Sequence, residues 1–220
     1  LLLALQIALL PRPVLPVIVL VSVFRLFDLE TLVHSWRYNR ADAACLLTTF
    51  IAVLLIGLER GLLLGVATSL LLYLWRTSHP HITEIGRLGD SEQFRSVERH
   101  EVRTSPRVLL ARVDESLYFA NADYLEERLL ALVAERPELR DVVLVCSGVN
   151  FIDSSALLTL EQLIDRLRDA GVTLHLADLK EPVLDALEQS DLLHRLRPGK
   201  VFLSAHQAMN ELESDPDYAI

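Results

Sequence analysis

Apolar residues fill the first third of the chain and leave no polar stripe along any helix. Two runs, 43–58 and 61–75, contain no charged residue, and Glu59 and Arg60 separate them. Each run is shorter than the about 20 residues that span a bilayer. Two interpretations are therefore open: a hairpin in a membrane bundle, or a buried helical pair in a soluble protein. Apolar residues on all sides favour the membrane bundle, with Glu59 and Arg60 at the tip of the hairpin.

Two further apolar runs, 1–10 and 14–24, precede this hairpin. We therefore assign residues 1–76 to membrane helices. The sequence opens on Leu rather than Met and has no basic start or cleavage site of a signal peptide, so we expect it to lie within a longer protein.

Beyond residue 76 the pattern changes to short strands and amphipathic helices. Residues 77–93, with two histidines around a proline and two glycines, predict a linker. The later elements are strands at 107–113 and 116–120, a helix at 121–135 capped by Asn121, a strand at 142–146, a helix that ends at Gly171, a strand at 172–177, a helix at 182–188, a strand at 201–203 and a helix from Ser204 to about residue 212. This alternation predicts an α/β domain over 94–220, with helices packed on a mixed β-sheet.

Charge separates the two parts of the chain. Residues 1–76 carry six arginines and four acids, whereas residues 77–220 carry 15 basic and 26 acidic side chains. Nucleic-acid binding requires a basic surface, so we expect no nucleic-acid partner.

Cys45 and Cys146 lie far apart in apolar segments and predict neither a disulfide nor a metal site. No phosphate-binding loop or nucleophile–base pair can be assembled from the spacing, so we expect no cofactor and no enzyme activity.

Basic residues predict the orientation of the hairpin. Four arginines flank its open ends: Arg37, Arg40, Arg76 and Arg87. At the tip, Arg60 is balanced by Glu59. Because cytoplasmic segments carry the excess of Arg and Lys, the open ends and everything after Arg76 are expected in the cytoplasm. No Asp, Glu, Lys, Arg or His lies inside either run, so we expect the hairpin itself to supply no ion ligand.

Asp153, Ser154 and Ser155 form the candidate site. They lie between a buried-type strand and an amphipathic helix, where free backbone N–H groups favour negative charge. A helix cap is the simplest interpretation, but a cap accounts for only one of the three residues. We expect Ser155 to be a cap whose loss costs about 0.5–2 kcal/mol. The alternative is that the three residues form a regulatory or partner surface.

Several segments together resemble a known family. VVLVC (142–146), FIDSSAL (151–157) and the helix behind them are similar to the STAS domain, which anti-sigma-factor antagonists share with sulfate permease (SulP) anion transporters. LYFANA (117–122) is similar to the start of the first STAS helix in the transporter branch. LPRPVL (10–15), GLERG (57–61) and GVATSL (65–70) resemble the last membrane segments of those transporters. One departure is Ala156, where the antagonist motif has Gly.

The resemblance implies the carboxyl-terminal part of a SulP-type secondary anion transporter, in which the STAS domain is a cytoplasmic module for regulation and assembly. It further implies a multi-pass, lipid-embedded homodimer of the cell inner membrane, with the anion site between broken helices upstream of these residues. Sulfate, bicarbonate, chloride and dicarboxylates stay open as substrates. Antagonists are phosphorylated at the position of Ser155. The alternative is therefore a membrane-tethered STAS signalling module that binds a cytoplasmic regulatory protein at this surface.

Overall fold

The computed structural model describes residues 16–18, 20–21, 29–89 and 91–214. The chain divides into two compact units, Leu1–Tyr73 and Leu74–Ile220. The apolar run predicted at 1–10 lies outside the described residues. Of the run at 14–24, only residues 16–18 and 20–21 are described, and all of them are helical.

Three helices follow one another in the apolar part of the chain: α1 (Leu29–Tyr38), α2 (Arg40–Ile56) and α3 (Leu58–Thr77). Gly57 separates α2 from α3 with a φ of 93°, a backbone conformation that favours glycine. The turn of the hairpin is therefore at Gly57. The prediction that placed Glu59 and Arg60 at the tip is wrong, because both residues already belong to the first turn of α3.

Glycine lines the contact between α2 and α3. A Cβ added to Gly61 would lie 2.5 Å from the backbone of Val53, and one added to Gly65 would overlap the side chain of Thr49. The Sγ atom of Cys45 lies 3.7 Å from the carbonyl oxygen of Gly65. Small residues four positions apart let two helix backbones approach closely, which is a common way for membrane helices to pack.

The outward surface of the hairpin is apolar. Leu55 is 78% exposed and Leu63 is 66% exposed, so large side chains point away from the helix contact. Within the described ranges, α3 is the one helix that is long and apolar enough to cross a membrane. Its 20 residues extend about 30 Å, close to the thickness of the hydrocarbon layer.

The second unit is built on a six-stranded sheet with the order β2-β1-β3-β4-β5-β6. Strands β3 to β6 are parallel, and β1 joins β3 and β2 in antiparallel pairs. The strand limits are β1 Ile82–Arg87, β2 Phe94–Ser96, β3 Val108–Val113, β4 Asp141–Val145, β5 Thr173–Ala177 and β6 Val201–Phe202. The predicted α/β fold with a mixed sheet is confirmed.

Helices cover both faces of this sheet. Their limits are α4 Ala122–Ala134, α5 Ser154–Asp169, α6 Glu181–Glu188, α7 Leu192–Arg195 and α8 Ala205–Ser214. Leu109, Val142 and Leu144 pack with α4 to α7 in one buried cluster. Leu110 and Val143 pack with α8 in the other. Alternate strand residues point to opposite faces, and both faces of the parallel strands are buried, which explains the unbroken apolar run of β4 after Asp141.

Two predicted elements of the second unit are wrong. The segment 77–93, predicted as a linker, contains β1, which pairs with β3 from Ile82 to Glu84. Polar residues in this strand break the apolar pattern that would have predicted it. Within the fold, Glu84 is paired, because it accepts a 2.6 Å hydrogen bond from the guanidinium of Arg136. The strand predicted at 116–120 is a turn with one isolated bridge, between Leu117 and Ile152.

Candidate functional site

Asp153 holds the start of α5 and fastens it to the turn after β3. One carboxylate oxygen, Oδ1, accepts a 2.8 Å hydrogen bond from the backbone N–H of Ala156. The other, Oδ2, accepts a 2.9 Å bond from the N–H of Phe119. The N–H of Asp153 donates to the carbonyl of Leu117 at 3.1 Å. Asp153 is thus the N-cap of the helix, and both of its oxygens are engaged.

Ser154 and Ser155 occupy the first turn of α5 and are exposed. Within the described part of the chain, neither hydroxyl makes a hydrogen bond. The expected cap at Ser155 is therefore wrong, because the carboxylate of Asp153 already accepts the N–H bond of that first turn. Among the described residues, no base forms a hydrogen bond with either hydroxyl, as activation of a serine nucleophile would require. Their exposure leaves them accessible to a partner or a modifying enzyme.

The surroundings of Ala156 explain why alanine stands where the antagonist motif has glycine. It is 1% exposed and belongs to the larger core cluster, and its N–H is bonded to Asp153. The methyl group thus fills core space at the foot of the helix. Alanine also favours the helical conformation more than glycine does, by about 1 kcal/mol.

Asn121 joins the same turn to the last residue of α3. Its side-chain oxygen accepts a 3.0 Å hydrogen bond from the N–H of Tyr118. Its amide nitrogen donates to the carbonyls of Ser116, at 2.9 Å, and Thr77, at 3.2 Å. The hydroxyl of Tyr118 donates to the hydroxyl of Thr77. Asn121 is fully buried and Thr77 is 8% exposed, so this is an internal polar network.

The sequence predicted Asn121 as the cap of α4. Asn121 does stand at the N-cap position, but its side chain makes no capping hydrogen bond to the helix. The amide instead closes the 116–121 turn and reaches Thr77. No spacing rule connects residues 44 positions apart, so sequence reasoning missed this network.

Three aromatic side chains lie beside the candidate site. The ring of Tyr118 is 5.4 Å from that of Phe119 and 6.3 Å from that of Phe151. Phe119 and Phe151 are 65% and 54% exposed. Next to Phe151 in sequence, the side chain of Asn150 accepts a 2.7 Å hydrogen bond from Lys180. The site therefore combines two free hydroxyls, an exposed aromatic pair and a cation.

Other titratable groups of the sheet have structural roles. His175 accepts a 3.1 Å hydrogen bond at Nδ1 from the N–H of Lys200, so its proton is on Nε2, which donates to Asp141 at 2.9 Å. Burial raises the pKa of the Cys146 thiol to about 12, and the negative charge of Asp178 adds to the shift. The described residues contain no group of three His, Cys, Asp or Glu side chains placed to hold a metal ion.

Comparisons with known proteins identify the family of the α/β domain. Residues 99–208 match the STAS domain family. The chain is 28% identical over 209 residues to high affinity sulfate transporter 2 of Stylosanthes hamata, and 29% identical over 210 residues to probable sulfate transporter 4.2 of Arabidopsis thaliana. Both alignments cover 90% of this chain, and they cover 32% and 31% of the respective relatives. The chain thus spans about a third of the length of these relatives.

A solved structure shows the same fold. The murine Solute Carrier 26 family member A9 anion transporter, in the inward-facing state, superposes with a TM-score of 0.78 at 20% identity. The superposition covers 88% of this chain and 31% of that transporter. The chain therefore belongs to the STAS-domain family and matches the carboxyl-terminal part of sulfate-permease-type anion transporters.

Proposed function

We propose that these residues form the carboxyl-terminal part of a secondary anion transporter of the sulfate-permease type. One observation carries the proposal: a single alignment to sulfate transporters runs through the apolar helices and the α/β domain alike, over 90% of the chain. A STAS domain acting alone would match such proteins only over the domain. Sulfate is the anion that the relatives' names favour.

In this proposal α2 and α3 belong to the membrane scaffold rather than to the anion site. Between Ala43 and Ile56 in α2, and between Gly61 and Trp75 in α3, no side chain is ionisable except that of Cys45 or Tyr73. The glycine contact supports close helix packing, and the outward leucines suit lipid or neighbouring membrane helices. Anion binding then belongs to the part of the transporter that the match does not cover, where helix ends face the anion.

The same proposal places the STAS domain in the cytoplasm of a multi-pass inner-membrane protein. The supporting observation is the excess of arginine at the open ends of the hairpin, at Arg37, Arg40 and Arg76. Trp75, in the last turn of α3, is 69% exposed, as suits an aromatic residue at the membrane–water interface. The membrane part extends to residue 76, and the assembly is a homodimer, as the sequence resemblance implied.

Asp153, Ser154 and Ser155 form the regulatory surface in this proposal. The two hydroxyls are exposed on a helix start that the Asp153 carboxylate fixes, so a partner can bind there without unfolding the helix. To test this surface, Ser155→Asp is compared with Gln162→Asp, an exposed position further along α5. We expect Ser155→Asp alone to alter transport, with unchanged folding, because its charge lies at the partner surface. Equal transport by both variants would refute the regulatory role.

Anion uptake tests the transporter itself. The natural gene product that carries these residues is expressed in cells without their own sulfate uptake, and radiolabelled sulfate entry is measured with bicarbonate, chloride or a dicarboxylate as competitor. We expect saturable sulfate uptake. Gly65→Leu should lower it by breaking the hairpin contact, whereas Ala67→Leu, at an exposed position of α3, should not.

The same assay separates the alternative function. A membrane-tethered signalling module would insert into the membrane and show no uptake of any of these anions. Correct insertion without uptake would therefore overturn the transporter proposal and favour the module.

A further inference from the structure

We infer that the exposed aromatic pair Phe119 and Phe151 docks on the phospholipid surface of the membrane. The pair lies at the end of the sheet where β4 leads into α5, beside the last turn of α3. A phenylalanine is ordinarily buried in a soluble domain, yet these two rings are 65% and 54% exposed and lie close to the same tyrosine. This inference rests on the proposed membrane placement of α3.

The position of the pair follows from the contact between Tyr118 and Thr77. The hydroxyl of Tyr118 donates to Thr77, which is the last residue of α3. A 20-residue helix spans the hydrocarbon layer once, so its end lies at the membrane surface. The ring centroids of Phe119 and Phe151 lie 5.4 and 6.3 Å from the ring centroid of Tyr118. Both rings are therefore close to the end of α3, where the proposed membrane placement puts the headgroup layer.

Charge at this edge fits a lipid surface. The residues after 76 carry 26 acids and 15 basic side chains, so most of the domain is repelled by anionic lipid. Two basic residues lie near residues that adjoin the aromatic pair in the chain. Arg76 is exposed in the last turn of α3, and Lys180 is held beside Phe151 through Asn150. The carboxylate of Asp153 already accepts two backbone N–H bonds.

Aromatic and basic side chains also prefer the interface between membrane and water. Tyrosine is enriched at the headgroup level, phenylalanine occurs on the apolar side of helices that lie in the interface, and basic side chains are attracted to anionic lipid. Two rings and two cations near the end of α3 need only a shallow insertion, since the chain continues directly from α3 into the domain.

Single-tryptophan fluorescence in vesicles tests the inference. In a Trp36→Phe, Trp75→Phe background, one tryptophan is introduced by Phe119→Trp, Phe151→Trp, Leu63→Trp or Glu138→Trp. Leu63 is an outward residue of α3, and Glu138 is exposed at the opposite end of β4. The full chain is reconstituted in phosphatidylcholine–phosphatidylglycerol vesicles, with and without lipid brominated near the headgroup end of the acyl chains.

Bromine quenches tryptophan only on contact with lipid. We expect brominated lipid to lower the emission of Phe119→Trp and Phe151→Trp about two-fold, and to leave Glu138→Trp unchanged. Lipid brominated at mid-chain should quench Leu63→Trp. Quenching of Leu63→Trp without quenching at positions 119 and 151 would overturn the inference and leave the membrane placement of α3 intact.

Two further results separate the remaining explanations. Blue-shifted but unquenched emission at positions 119 and 151 would show that protein, not lipid, covers the rings, and would also overturn the inference. An unquenched Leu63→Trp would refute the proposed membrane placement itself.

Discussion

The hairpin and the α/β unit use leucine in opposite ways. Leu55 and Leu63 point outward from α2 and α3, whereas Leu129 and Leu163 are fully buried between their helices and the sheet. In the hairpin the buried positions are small, such as Ala52 in α2 and Gly61 in α3. Large apolar side chains thus hold the α/β unit together, while their absence lets the two hairpin helices meet.

The solvent explains this difference. In water, burial of a leucine stabilises a fold by about 1.5–3 kcal/mol. In lipid, a leucine gains little by leaving the acyl chains, so close contact between helix backbones determines the packing. Equivalent substitutions should therefore have different effects in the two units.

The largest expected effect is loss of a core leucine. Leu163→Ala removes a fully buried side chain from α5 and leaves a cavity, so the free energy of unfolding of the α/β unit should fall by about 2–5 kcal/mol. Leu63→Ala, in α3, should change stability by less than about 0.5 kcal/mol. Urea unfolding of the full chain in detergent micelles, followed by circular dichroism, measures both. Equal losses would remove the contrast between the two units.

The reverse substitution should destabilise the hairpin. Gly65→Leu inserts a side chain where Thr49 lies, at an expected cost of about 1–3 kcal/mol. Ala67→Leu adds the same side chain at an exposed position of α3 and serves as the control. Titration with sodium dodecyl sulfate, followed by the helical signal, reports the hairpin. An unchanged midpoint for Gly65→Leu would show that the glycine contact does not hold the helices together.

A smaller effect for each unit of pH is expected at alkaline pH in the α/β unit. Burial, followed by the charge of Asp178, raises the pKa of Cys146 from 9.0 to about 12 in the folded chain. Below pH 9 the thiol is neutral in both states and stability is intact. As pH rises from 9 toward 12, only the unfolded thiol ionises, so stability should fall by about 1.4 kcal/mol per pH unit.

The control for this prediction is Cys146→Ala, which removes the thiol while the other titrating groups remain. Urea unfolding at several pH values gives the slope of stability for each protein. Identical slopes for the two proteins would contradict the assignment of this pH dependence to Cys146.

The smallest expected effect distinguishes the residues of the candidate site. Asp153→Ala removes the helix cap and should cost about 0.5–2 kcal/mol, whereas Ser155→Ala should cost less than about 0.5 kcal/mol. Urea midpoints of the two variants measure the difference. A larger loss for Ser155→Ala would restore the serine as the cap.

The parallel part of the sheet could be predicted because its strands are buried on both faces. VVLVC (142–146) is an unbroken apolar run, and β4 occupies Asp141–Val145. In contrast, β1 contains Thr83, Glu84 and Arg87. The partner of Glu84, Arg136, is 52 residues away, and local periodicity carries no information about such a pair. The strand therefore looked like a linker.

Sequence patterns placed Asp153, Ser154 and Ser155 correctly at a helix start, but they assigned the cap to the wrong residue. Strand and helix patterns placed Asp153 at a helix start, as the structure confirms. Three adjacent capping-type residues do not show which of them accepts the N–H bond. The turn at 116–121 was mistaken for a strand because Leu117, Tyr118 and Phe119 are typical strand residues. Instead of pairing with another strand, the N–H of Tyr118 donates a hydrogen bond to the side chain of Asn121. The N–H of Phe119 donates one to the side chain of Asp153.

The bond between Asn121 and Thr77 also has a consequence for protein synthesis. The last carbonyl groups of a helix lack partners within the helix, and the carbonyl of Thr77 obtains one from a residue made 44 positions later. At about 5–20 residues per second, the ribosome needs roughly 2–9 seconds to reach Asn121. In the proposed membrane placement, α3 can enter the bilayer during that interval while its final turn is still hydrated. The end of the last apolar helix is thus completed only when the following domain folds.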